Sequence, residues 1–153
     1  MTATNHVTTG ALIGSVIVNP WLAIPVSFFA HFVLDSLPHY DLDEKDNRDS
    51  KKFLYSLAID CAIALSILIA IFLLAPDNWP VILASGIACA SPDLMWIRYW
   101  IADLTGKTKP KLGRIAQFHS RIQRYAKHSL PNFLIEFVWF LSIMTVLLYN
   151  LKP

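Results

Sequence analysis

Charged residues are scarce: 16% of the 153-residue chain is Asp, Glu, Lys or Arg, against roughly 25% in soluble globular domains. Low-complexity tracts are missing, and no polar stretch is long enough to fold as a soluble domain of its own. The opening residues 1–6 lack the basic n-region of a secretory signal, and no small-residue cleavage pattern follows, so the N-terminus reads as mature. A net charge of only +2 argues against a nucleic-acid partner. There are two cysteines, Cys61 and Cys89. Both lie in apolar stretches, where packing explains them better than redox or metal chemistry.

What is abundant is apolar sequence, at 55% of the chain with a mean hydropathy of +0.46. Residues 53–75, 79–104 and 130–151 each approach or exceed the roughly 20 residues that a helix needs to cross a bilayer core. A shorter apolar stretch, 7–18, ends at Asn19-Pro20, and a second helix runs from about residue 21 to 37. The first of these covers only about 18 Å, which suits a re-entrant or tilted half-span. The expected fold is therefore all-α: a polytopic integral membrane helical bundle of about five hydrophobic segments, forming a single membrane domain over residues 1–153.

Lys and Arg give the expected orientation. Twelve of the thirteen fall in or beside two connections, 39–52 and 105–129, which a complete helical hairpin separates. Both connections then face the cytoplasm under the positive-inside rule, with the N-terminus inside and the C-terminus outside. Within the second connection Leu112, Ile115, Phe118, Ile122 and Tyr125 recur at spacings of three and four, with Arg114, Arg121 and Arg124 on other faces. This pattern fits an interfacial amphipathic helix lying on anionic lipid; the positive charge would equally serve as a topology signal alone.

Ionisable side chains inside spanning helices are costly, so each needs a partner or a task. His31 and Asp35 lie on the second helix, Asp60 on the third, Asp93 on the fourth and Glu136 on the fifth; His6, His39, Asp41 and His119 lie at helix ends or in connections. The expected topology puts all the buried acids at one depth, in or near the cytoplasmic half. His31 and Asp35 are four apart and share a helix face, and imidazole with carboxylate is a donor set for zinc, and also for manganese or iron. Asp60 suits either a direct ligand or a partner that orients a histidine. Glu136 suits a general base, another such partner, or a buried carboxyl paired with an arginine. Trp96, Tyr99 and Trp100 read as an aromatic belt at headgroup level.

The stretch from His31 to His39 resembles the His-x-x-x-Asp...Pro...His element of zinc-dependent phospholipases C and their single-strand nuclease relatives. Leu37-Pro38-His39-Tyr40-Asp41, Ser91-Pro92-Asp93-Leu94 and Phe118-His119-Ser120 are similar to the Leu-Pro-Asp-x-Asp and Thr-His-Ser elements of small inner-membrane metal-dependent hydrolases. His6 followed by Gly10 and Gly14 fits that family's early histidine and Gly-rich first helix. His39 stands where the family has Asp, and Phe118 where it has Thr. The resemblance implies a divalent metal, zinc first, held by His31, Asp35, Asp93 and His119 with His6 and His39 as further ligands. Asp60 and Glu136 are then the catalytic candidates. The implied activity is hydrolysis of a phospholipid or lipid-linked phosphate ester at the cytoplasmic face of a bacterial inner membrane, with the anionic membrane itself as partner. A non-catalytic membrane adaptor and a small ion- or proton-coupled transporter are the rival classes, and the oligomeric state is open.

Overall fold

In hydrocarbon every backbone N–H and C=O must be bonded within its own segment, so apolar runs of this length become helices. The computed structural model describes residues 1–40, 50–74, 77–123 and 129–151. In chain order these form α1 (Ala3–Val16), α2 (Pro20–Ser36), α3 (Ser50–Leu74), α4 (Trp79–Ala90), a 3-10 helix (Ser91–Trp96), α5 (Ile97–Thr105), α6 (Arg114–Ile122) and α7 (Leu130–Asn150). Three stretches, Phe53–Leu74, Trp79–Ala102 and Leu130–Asn150, are long and apolar enough to cross a membrane. Their apolar side chains point mainly outward: Ile59, Leu65, Leu73, Val138 and Leu148 are all more than half exposed. A water-soluble protein does not show apolar surface on this scale. The chain is an integral membrane protein.

The inside is the more polar part. α1 carries Thr4, Asn5, His6, Thr8 and Thr9, all buried, and it packs against α2, α3, α4 and α7. It begins four residues before the apolar stretch expected from hydropathy, because Thr2 caps it by accepting from the Asn5 N–H and other helices supply acceptors for its first turn. Two small residues let α1 approach α4. A β-carbon on Gly10 would collide with the Ser85 carbonyl oxygen, and one on Gly14 would lie 2.8 Å from Ile82 Cα. This is the small-xxx-small contact that drives helix association where water supplies no hydrophobic force. Beyond it, Ala11, Ile71, Ile82 and Leu147 form an apolar cluster joining α1, α3, α4 and α7, and the Asn78 side chain donates to the Gly14 carbonyl at 3.4 Å.

The fourth helix differs from the continuous one expected over 79–104. Pro92 has no N–H to give, so the α-helical ladder cannot run through it. The chain tightens into the 3-10 helix before resuming as α5. A 3-10 stretch in the middle of a span is often a functional feature, and here it carries Asp93 and Trp96. The amphipathic segment is helical as α6. Ile115 and Phe118 are exposed, while Ala116 and His119 are buried; Tyr125 and Arg124 lie outside the described residues. Much of the 39–52 connection does so too.

Gly14→Ala should lower stability by about 1–3 kcal/mol, the usual effect of overpacking a tight interface, read as a drop in the thermal unfolding temperature in detergent micelles.

Candidate metal centre

The C-terminal part of α2, the N-terminal part of α1, the 3-10 helix and α6 meet at one end of the bundle. Each brings ionisable side chains there. His31 and Asp35, one turn apart on α2, have His31 Nε2 3.2 Å from Asp35 Oδ2. His6 on α1 places its Nε2 3.1 Å from Asp35 Oδ1 and stacks its ring on that of His31 with centroids 4.0 Å apart. His119 on α6 brings its Nε2 to 3.0 Å from His31 Nε2 and into a short hydrogen bond with Asp35 Oδ2. Asp93 closes the group, with Oδ1 3.7 Å from His31 Nε2 and 3.9 Å from His119 Nε2, and Oδ2 4.0 Å from His6 Nε2. One ligand atom from each of His31, Asp35, Asp93 and His119 lies within 4.8 Å of all the others, so the group could hold a metal ion.

Burial gives this cluster a direction of access. His6, His31, Asp35 and His119 are fully buried, whereas the Asp93 side chain is 30% exposed. Asp35 is crowded. The Met1 amino group approaches Oδ1 at 2.6 Å and the Gln123 amide donates to Oδ2 at 3.0 Å, in addition to the three imidazoles. Five nitrogens thus surround a carboxylate with about four lone-pair sites.

The imidazoles are oriented by their other nitrogens. His31 Nδ1 lies 2.8 Å from the Cys89 carbonyl, which can only accept, so Nδ1 carries the proton and Nε2 turns a lone pair to the cluster. Pro92 makes this possible: in the tighter 3-10 register the amide partner of the Cys89 carbonyl would be residue 92, which has no N–H. His6 faces Asp35 and Asp93 through Nε2, and among the described residues its buried Nδ1 has no hydrogen-bond partner. Trp96 Nε1 donates to His119 Nδ1 at 3.0 Å, which assigns the His119 proton to Nε2, where Asp35 accepts it. Ligation through His119 Nε2 therefore requires that proton to leave and the Trp96 hydrogen bond to be given up. Three imidazoles and two carboxylates are nonetheless a donor set that suits a divalent ion.

Asp60 and Glu136 stand elsewhere. Asp60 accepts from the backbone N–H groups of Ala3 at 2.6 Å and Thr4 at 3.1 Å, and Glu136 from that of Thr2 at 2.7 Å. These are donors that a helix N-terminus leaves without intrahelical partners, and negative charge is favourable there. Asn5 on α1 also donates to the Glu136 carbonyl at 3.3 Å. His39 stays outside the group of converging ligand atoms: its Nδ1 donates to the Leu37 carbonyl at 2.8 Å, and its own carbonyl accepts from Asn132 at 2.7 Å. Burial, and then the nearby Met1 ammonium, push its imidazole down to about 4.

Gln123, Trp96 and the Cys89 carbonyl were not among the residues expected at the site. Gln123 lies one helical turn after His119 and Trp96 one 3-10 turn after Asp93, so each shares a ridge with a residue that was expected. No family model, curated protein or solved structure matches the chain.

Asp60→Ala leaves two N–H groups of α1 without acceptors and should lower stability by about 2 kcal/mol or more, measured by thermal unfolding in detergent. Trp96→Phe removes a hydrogen bond that competes with ligation by His119 and should raise metal affinity about fivefold, measured by competition against a chelator.

Proposed function

We propose that this protein is a membrane-embedded metal-dependent hydrolase, acting on a phospholipid or lipid-linked phosphate ester at the cytoplasmic face of a bacterial inner membrane. The observation that carries the reading is the convergence of His6, His31, Asp35, Asp93 and His119 from four separate elements onto one buried point. Zinc suits this nitrogen-rich set best, and manganese or iron is also compatible with it. When bound, such an ion supplies Lewis acidity towards a phosphoryl oxygen and shifts the pKa of water towards about 7. The chain's own part is to hold and shield. His31 is aimed by the Cys89 carbonyl, α6 covers the cluster with His119 on its inner face, and the partly exposed Asp93 marks the side from which substrate arrives. Asp60 and Glu136 act through α1, whose first turn they anchor and which carries His6.

The same reading extends to topology. α1 is about 21 Å long and α2 about 26 Å, both less than the roughly 30 Å hydrocarbon core. They form a short hairpin beside the three full spans, which makes five segments. The clustering of basic residues in the connections next to the site supports a cytoplasmic site, with the C-terminus across the membrane.

Purified protein is expected to carry stoichiometric zinc, manganese or iron by elemental analysis, and to hydrolyse a phosphate diester. His31→Ala and Asp93→Ala should lose most of the metal and reduce hydrolysis by about a hundredfold or more while remaining helical. A metal-free preparation, or variants that keep full activity, would sink the proposal.

A further inference from the structure

Behind the metal cluster lies a second feature that the chemistry above does not use. The junction of the 3-10 helix, α5 and α6 encloses an open groove of about 840 Å³, within the roughly 300–1,000 Å³ range of small-molecule sites. Leu94, Ile97, Ile101 and Ile115 line it, each of them well exposed, and Arg98 and Arg114 are its charged members. Among the described residues neither arginine pairs with a carboxylate. Arg98 is held in place all the same. It donates to the Tyr99 hydroxyl at 2.7 Å, and its guanidinium lies 4.8 Å from the Tyr99 ring centroid. Tyr99 is buried and donates in turn to the Lys111 carbonyl at 3.2 Å. A β-carbon on Gly113 would stand 3.7 Å from Arg98 Nη2, so this guanidinium lies beside the residue that precedes Arg114.

We infer that the groove binds an anionic glycerophospholipid, with an acyl chain along Ile97, Ile101 and Ile115 and the phosphate between Arg98 and Arg114. Three observations on the molecule select this occupant. The apolar lining is continuous with a span that faces lipid, so an acyl chain reaches it without leaving the membrane. Two guanidiniums that have no acidic partner among the described residues suit an anion, and a planar guanidinium matches phosphate oxygens in pairs. The preset Arg98 loses little freedom on binding, whereas a flexible side chain would lose more. A zwitterionic lipid fills the same apolar surface and offers the same phosphodiester, but its quaternary amine brings a compensating positive charge that the two guanidiniums repel.

The groove also backs onto the cluster. Leu94 follows Asp93 directly in the chain, and the exposed Ile115 is on the same helix, α6, as the buried His119. The two elements that line the groove thus also bring Asp93 and His119 to the cluster. Lipid capture stands on the groove's own residues. Its assignment as the place where substrate waits rests on the hydrolase reading.

The test uses the full chain in micelles of a non-ionic detergent, exposed to equal amounts of phosphatidylglycerol and phosphatidylcholine with identical acyl chains, and weighs the retained lipid by native mass spectrometry. Phosphatidylglycerol should be retained over phosphatidylcholine by about tenfold or more, as two basic contacts at a membrane surface warrant. The Arg98→Gln/Arg114→Gln double variant should lose that preference, and Arg98→Lys/Arg114→Lys should keep most of it. Ile101→Trp, which fills the groove and leaves the charges, should reduce retention of both lipids. Equal retention by the unaltered protein overturns the inference. So does a preference that survives the double Gln substitution in a protein of normal helicity. Should that variant not fold, undiminished retention by Ile101→Trp overturns it instead. Repeating the measurement on His31→Ala separates the two proposals: lipid preference without metal or hydrolysis keeps the groove and removes the hydrolase.

Discussion

A polar helix in an apolar surrounding must have its backbone and side chains satisfied by its neighbours, and α1 imposes that constraint on the rest of the molecule. Its first turn presents N–H groups with no intrahelical acceptor, in a region where water is scarce and an unpaired amide costs several kcal/mol. Asp60 from α3 and Glu136 from α7 take those groups. Each carboxylate would itself be expensive to bury alone, so helix and acids are affordable only together. Their pairing brings α3 and α7 to the same end of α1. Gly10 and Gly14 bring α4 to its side, and His6 on the same helix is thereby placed against α2.

The other constraint is Pro92. A continuous helix from residue 79 to 104 would carry its backbone hydrogen bonds internally and leave no carbonyl for His31. The break caused by Pro92 frees accepting capacity at Cys89, advances Asp93 and Trp96 along a 3-10 ridge, and lets α5 leave in a new direction. Site and groove both follow from this one interruption: Asp93 and Trp96 meet His119 on one side, and Leu94, Ile97 and Ile101 form the groove on the other.

The membrane class and the three long spans were legible because length and hydropathy decide them almost alone. The coming together of His31, Asp35, Asp93 and His119 was also legible, since helix spacing and a common depth restrict where such residues can be. What could not be read was whether a buried carboxylate faces a metal or a helix end. Asp60 and Glu136 have the residue type and the depth of ligands, but their partners are backbone groups of α1, and backbone groups carry no sequence signature. The same holds for the Cys89 carbonyl as the partner of His31. The start of α1 was missed for a related reason. Hydropathy measures the side chains' preference for lipid, and Thr4, Asn5 and His6 are buried in protein, where other helices surround them.

Charge balance offers a further reason for a divalent ion at this cluster. Asp35 and Asp93 carry two negative charges when ionised; with neutral imidazoles around them the Met1 ammonium on Asp35 matches one of the two, which leaves the group with a formal charge of −1, and only the Asp93 side chain is partly exposed. Such a charge is tolerable in a region of low dielectric only when it is matched closely. Protonating a histidine would match it, but His119 accepts at Nδ1 from an indole that can only donate, so that hydrogen bond and an imidazolium at His119 exclude one another. A divalent cation instead brings positive charge to the point where the ring nitrogens and carboxylate oxygens already converge, and leaves the His31 bond to Cys89 intact. Only the Trp96 hydrogen bond has to be exchanged. That makes Trp96 the residue through which the surroundings set how readily His119 takes up an ion.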